Sequence, residues 1–275
     1  MPELPEVQMV VNELQERLTG RRFAPGATFL WERTAGFPAA AEFAERLAGR
    51  EVTGVRRRAK YILVDLDSGE QLVIHLRMTG NLHFADPSEP PHPHLRARLP
   101  LSDGQELRFA DTRKFGRLYL GTPLELEAVI PLHRLGPEPL DDDFTVELLR
   151  SRLSRRHGAI KAALMDQALL AGLGNIYADE ALFRARIDPR RPADTLSDSE
   201  VAALHAGILA SLHQALGSGG TSFRDYLSTY GRKGDNEENL QVFRRNGEAC
   251  LRCGNPLQRI VVGGRGTHYC AVCQV

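Results

Sequence analysis

The period of the apolar positions changes along the chain. Residues 6–19 (EVQMVVNELQERLT) set Val7, Val10, Val11, Leu14 and Leu18 at helical spacing, with Gly20 as a stop signal. An amphipathic helix is expected almost from the first residue. From about 50 to 120 the pattern shortens to β-rich runs, YILVDL, QLVIHLRM, HLRARLPL, ELRFA and RLYLG, with turn dipeptides such as Ser68-Gly69 and Asp103-Gly104. These predict antiparallel sheet folded as a sandwich. Residues 121–143 carry four prolines, and beyond them the helical period returns in TVELLRSRL, GAIKAALMD, NIYADEALFRA and SEVAALHAGILASLHQAL. The last of these helices opens with Ser197 and Glu200 at capping-box spacing. After Gly219-Gly220 a polar loop leads to a cysteine segment. The organisation read from this is a sandwich domain over 1–132, a helical domain over 133–230 and a small module over 240–275.

Composition adds little to this and removes some classes. With 42% hydrophobic and 25% charged residues among 275, the chain is an ordinary globular one, longer than a typical single domain. The formal net charge is zero, so only local clustering of cations could argue for a polyanionic partner. No run of 18 apolar residues occurs, and MPELPEVQ has neither the basic nor the apolar region of a signal peptide. A cytoplasmic monomer, with no membrane association, is expected.

The four cysteines lie between 250 and 273. Cys250 and Cys253, then Cys270 and Cys273, form two CxxC pairs around 16 residues, the spacing of a tetrahedral zinc site. Four thiolates leave no open coordination position, so one structural Zn2+ is expected rather than a catalytic metal. Between the pairs, PLQRIVVGGRGTHY reads as two strands around Gly263-Gly264-Arg265-Gly266, a hairpin presenting one arginine. His268 reads as a strand residue, not a fifth ligand.

Pro2 follows the initiator methionine, which is normally removed before a small residue and would leave a secondary amine. Such an amine can attack C1′ of a deoxyribose, giving an iminium that acidifies the C2′ proton and permits loss of the 3′-phosphate. Glu3 and Glu6 stand within one helical turn, and a carboxyl group there could protonate the sugar as its ring opens. Taken alone, the segment is better read as helix-initiation chemistry, and other parts of the chain must decide.

PELPEV at 2–7, RRAKY at 57–61, HLRMTG at 75–80, DTRKFG at 111–116, LGPEPL at 135–140, GLGNIYADEALF at 172–183 and the terminal CxxC pairs together resemble the formamidopyrimidine-DNA glycosylase family, in order along the whole chain. The resemblance implies an α+β fold. An N-terminal helix on a two-layered antiparallel β-sandwich would be followed by a helix-two-turn-helix domain with a C-terminal four-cysteine zinc finger. It implies a bifunctional DNA glycosylase and abasic-site lyase that flips and excises oxidised purines from duplex DNA, followed by β,δ-elimination. Pro2 matches the Schiff-base nucleophile, Glu3 the acid acting on the sugar, with Glu6 in support. Lys60 matches the lysine that assists elimination, and Arg265 the arginine of δ-elimination and phosphate binding. Without the motifs, Lys60 and Arg265 would read as ordinary exposed cations.

By the same resemblance, Met78, Arg113 and Phe115 fill the gap left by a flipped base, though Met78 and Phe115 could equally be core. Asn175, with Ile176, opens a helix after Gly172-Leu173-Gly174, where free N–H groups can bind a phosphate. His92 matches a DNA-contacting histidine. RSRLSRRHGAIK carries Arg150, Arg152, Arg155 and Arg156 ahead of Lys161 with no acid, a backbone-binding face. His157 stands where the resemblance leads one to expect lysine, which makes that contact pH-dependent. His205 and His213 read as packing or surface residues. Residues 229–241 (TYGRKGDNEENLQ) depart from the family's Gly-Lys-Pro-Gly turn, so the resemblance does not fix lesion preference. An endonuclease VIII-like enzyme for oxidised pyrimidines and a noncatalytic zinc-ribbon DNA binder stay open at this point.

Overall fold

The computed structural model describes residues 2–223 and 227–275, and divides into two compact units, residues 1–133 with 218–235, and residues 134–217 with 236–275. Met1, on whose removal the nucleophile reading depends, lies outside the described residues.

The first unit opens with helix α1 (Leu4–Leu18), in which Pro5 supplies a pre-set φ in the first turn. Leu4, Val7, Val10, Val11, Leu14 and Leu18 form its buried stripe. Short strands β1 (Thr28–Phe29) and β2 (Ala35–Phe37) and helix α2 (Ala40–Leu47) precede β3 (Val52–Arg58), β4 (Tyr61–Leu66) and β5 (Gln71–His75). Then come β6 (Gly80–Ala85), β7 (Leu95–Pro100), β8 (Glu106–Asp111), β9 (Arg117–Gly121) and helix α3 (Pro123–Val129). One sheet has the order β1-β7-β8-β6 and the other β2-β9-β5-β4-β3. One core joins both sheets to α1, with Val7 and Leu14 beside Ile62, Val64, Leu72, Ile74, Leu99, Leu107 and Phe109. The near-continuous apolar runs of β4 and β5 have a cause: their other faces carry Leu63 and Val73, buried with Leu126 and Ile130 at α3. The sandwich is antiparallel as expected except that β2 runs parallel to β9, completing that sheet's edge from across the chain.

The second unit holds helices α4 (Val146–Leu153), α5 (Ile160–Met165), α6 (Asn175–Ala185) and α7 (Asp198–Gly217), with α7 packed on α6. The expected capping box is formed: the Glu200 carboxylate accepts from Ser197 N at 2.7 Å and Ser197 Oγ accepts from Glu200 N at 3.3 Å. Strands β10 (Gln258–Val262) and β11 (Arg265–Tyr269) make the hairpin, turning through Gly263 and Gly264 at φ 56° and 74°. Both positive φ values suit a two-residue turn that only glycine adopts without strain. Among the described residues no helix is long and apolar enough to cross a membrane.

Candidate active site and DNA-facing elements

Pro2 is buried at the mouth of α1, and the residue after it is fixed by its own helix: Glu3, the N-cap, donates its N–H to Glu6 Oε2 at 2.7 Å. Glu6 Oε1 in turn accepts the Thr221 N–H at 2.9 Å, so this carboxylate ties the returning segment 218–223 to the chain start. Glu3 and Glu6 are 2% and 1% exposed. Lys60 occupies the tight β3–β4 turn after Ala59, which has φ 52°. Three residues before Lys60, Arg57 Nε donates to Gln8 Oε1 of α1 at 2.8 Å, locking the hairpin end to the helix. His75 pairs with Tyr61 across β4 and β5 and stacks edge-on to its ring. Burial, with the charges of Arg77 and Lys60, holds its imidazole down at about 3, so it is neutral near pH 7. Its Nδ1 accepts the Arg77 N–H at 2.9 Å, shaping the turn that carries Met78. Sequence reasoning did not single out His75.

Met78 and Phe115 are 38% and 48% exposed, which removes the reading of either as core. The Arg113 guanidinium lies 5.1 Å from the centroid of the Phe115 ring. His92 is exposed, and its Nδ1 accepts from His94 N at 3.0 Å. Thr79, Thr112 and His92 border one open cavity of about 560 Å³, so the three turns share a concave face.

In the second unit Asn175 is the first residue of α6, beyond Gly174, and donates from Nδ2 to Gly266 O of the hairpin at 2.9 Å. Arg265 is exposed beside the glycine turn. Lys161 lies elsewhere than a surface contact would require. It is 0% exposed, its ammonium bound to Asp179 and to Asn175 O at 3.2 Å, because a cation under α6 neutralises a carboxylate that water cannot reach. The expectation of a direct DNA contact gives way to support of Asn175. His157 is 86% exposed and its Nδ1 lies 2.6 Å from Asp194 Oδ2, on the stretch between α6 and α7. His205 packs as expected, Nε2 against Phe144 O at 2.7 Å.

The four cysteine Sγ atoms lie within 4.8 Å of one another, with Cys250–Cys273 at 4.0 Å and Cys253–Cys270 at 3.5 Å. A tetrahedral zinc with bonds of about 2.3 Å spaces its sulfurs by roughly 3.8 Å, so the set fits the ion. His268 stays a strand residue of β11, and its N–H goes to Asp179 Oδ2 at 2.9 Å. Glu180 accepts from the N–H groups of Gln241, Val242 and Phe243 at 2.9–3.1 Å, gripping the chain that leads into the finger. Burial pushes its carboxyl up and those amides pull it back. Asp179 and Glu180 were visible only as letters of a motif.

Family models match in chain order: the formamidopyrimidine-DNA glycosylase N-terminal domain over 1–118, its H2TH domain over 135–226, and the zinc finger found in FPG and IleRS over 247–275. The formamidopyrimidine-DNA glycosylase of Roseiflexus sp. (strain RS-1) is 48% identical over 274 residues, covering 100% of both chains. That of Herpetosiphon aurantiacus is 45% identical over 275 residues, again 100% of both. Among solved structures, a Lactococcus lactis FPG mutant in complex with Fapy-dG-containing DNA matches with a TM-score of 0.92 at 37% identity, covering 99% of each chain. MutM in complex with carbocyclic 8-oxo-G-containing DNA matches at 0.91 and 37%, with the same coverage. With every part of its architecture and nearly its full length matched, the chain belongs to the formamidopyrimidine-DNA glycosylase family.

Proposed function

We propose that this protein excises oxidised purines, 8-oxoguanine and formamidopyrimidines, from duplex DNA and then opens the backbone, with the amine of Pro2 as nucleophile. One observation carries the assignment. Chain starts are ordinarily mobile, yet here Pro2 is buried and followed by two carboxylates at 2% and 1% exposure, one of them clamping the backbone next to the amine. An amine so held is aimed.

The chemistry follows from these groups. The Pro2 nitrogen attacks C1′, the glycosidic C–N bond breaks, and the base leaves with a proton. Glu3 protonates the ring oxygen as the sugar opens, leaving an iminium between Pro2 and C1′. Loss of a C2′ proton then expels the 3′-phosphate, with Lys60 at that phosphate. A second elimination breaks the C5′–O bond with Arg265 on the departing phosphate, and water releases the amine. Glu6 holds the geometry. Met78 and Phe115 enter the vacated stack while Arg113 donates to the widowed base. His92, His157 and Asn175 bind the backbone, Lys161 keeps Asn175 in place, and zinc holds the hairpin that carries Arg265. Its place of work on this reading is the cytoplasm, at the nucleoid if the source is bacterial.

Intact-mass measurement combined with borohydride trapping on an abasic duplex tests the nucleophile. The expected mature chain begins at Pro2 and traps; a tag fused ahead of Pro2 abolishes trapping, and Pro2→Gly keeps part of it. A chain that retains Met1 and still traps would overturn the assignment, and a chain beginning at Pro2 that never traps would mark a DNA binder without lyase chemistry.

A further inference from the structure

The turns carrying Met78, Arg113 and His92 come from three separate places in the sequence, and all three meet at Asp111, the last residue of β8. It is 1% exposed, and among the described residues amides and a hydroxyl, not a cation, satisfy its side chain. Oδ2 accepts the Gly116 N–H at 2.7 Å, and Oδ1 accepts the Arg113 N–H at 3.1 Å, so one carboxylate closes both ends of the loop that displays Arg113 and Phe115. Oδ1 also accepts from Thr79 Oγ1, and that same oxygen of Thr79 accepts the Arg113 N–H at 3.1 Å. Thr79 adjoins Met78. The backbone of Asp111 reaches the third turn: its N–H donates to His94 O at 2.9 Å and its carbonyl accepts from Arg96 Nε at 2.8 Å.

Close packing makes the joint stiff. A Cβ on Gly116 would stand 2.3 Å from the Phe109 ring, and one on Gly80 would stand 2.9 Å from the same ring and 2.4 Å from Leu76 O. Both turns therefore lie close against one buried aromatic.

We infer that Thr79 and Asp111 are positioning residues for opposite-base recognition, coupling the Met78 wedge to the Arg113 reader so that the two enter the helix as one unit. The inference rests on the proposed role of Arg113. Asp111 supplies four acceptances and Thr79 the only side-chain link between the two turns that the described residues show, so the hydroxyl is the part to remove.

The test compares single-turnover excision of 8-oxoguanine opposite cytosine and opposite adenine in wild type, Thr79→Val, Thr79→Ser and Arg113→Ala. Val matches Thr in shape but lacks the donor and acceptor, whereas Ser keeps both. Thr79→Val is expected to lower the cytosine-to-adenine ratio by about tenfold, the scale of one hydrogen bond to a carboxylate. Thr79→Ser should restore the wild-type ratio, and borohydride trapping at a pre-formed abasic site should be the same in both. A flattened ratio in Arg113→Ala beside a wild-type ratio in Thr79→Val overturns the coupling alone. A wild-type ratio in both overturns the Arg113 reading and this inference with it. Equal loss of ratio and trapping in Thr79→Val and Thr79→Ser would show a general packing role and overturn it as well.

Discussion

The two units hold the groups proposed to face DNA with buried carboxylates, but in different ways. In the first unit Asp111 is satisfied by a hydroxyl and backbone amides, and the turns it organises are already spaced by a sheet with a large core. In the second, Asp179 needs a buried cation, Lys161, and Glu180 needs three consecutive amides, because the element they hold is a hairpin with few apolar residues of its own. Phe183 of α6, Val242 and Leu257 are buried together with Cys250 and Cys270, so the metal site and the helix share one small core. A segment this short cannot pay for its ordering with burial, and metal plus charge supply the difference. A sandwich positions its loops through packing; a finger has to be fastened.

Removing the fastening should have the largest effect. Chelation, or Cys250→Ser with Cys253→Ser, forfeits a metal-binding free energy on the order of 10 kcal/mol. Hydrogen exchange should then show β10 and β11 unprotected while β4 and β5 keep their protection, and DNA binding should weaken with the loss of Arg265. Protected β10–β11 amides in the metal-free protein would contradict the comparison. Next comes Asp179→Asn, which takes the carboxylate away from a fully buried ammonium and should cost about 3–5 kcal/mol in denaturant unfolding. The loss should centre on α6 and the finger, and full stability would mean the ion pair is not what holds Asn175.

Effects in the first unit should be smaller and more local. Arg113→Ala should flatten the preference for lesion opposite cytosine over lesion opposite adenine, since its donors match cytosine O2 and N3; the change is on the order of 1–3 kcal/mol in relative single-turnover rates. An unchanged ratio would remove Arg113 as the reader. The smallest effect is set by His75. Its native imidazole is held at about 3, below the ordinary 6.5, so between those values the unfolded chain binds a proton that the folded one does not. Stability therefore falls as pH drops below 6.5, by about 1 kcal/mol from pH 6.5 to 5.5 from this group. His75→Asn offers the Arg77 N–H an acceptor without a titrating ring, and unfolding curves at the two pH values should lose that increment.

How much of this was legible depends on whether a residue's partner lies nearby in sequence. Strands β4, β5 and β7–β9 and helices α1 and α4–α7 follow from alternation and period, because their apolar faces are continuous. β3, VTGVRRR, hides because only Val52 and Val55 are buried apolar residues and its last three are arginines, and β2 hides because its partner is β9, some 80 residues on. The candidate site groups were readable as motifs: Pro2 with Glu3, the cysteine pairs, DTRKFG. The groups that hold them were not. Asp111, Asp179, Glu180 and His75 are polar letters that a pattern assigns to solvent, and only contacts across 32, 89 or 61 residues reveal what they do. Lys161 was misread for the same reason, a cation at the end of a basic stretch whose partner sits 18 residues away on the next helix.

The shared seat of Gly80 and Gly116 on the Phe109 ring has a consequence for protein engineering and for sequence drift. With the roles proposed for Met78 and Arg113, turns 75–80 and 111–116 form a single transplantable cassette, with Phe109 and Asp111 as its floor. Grafting residues 111–116 from a relative with a different opposite-base preference should fail unless 75–80 travels with it, and the two stretches should change together or not at all when such a preference is altered.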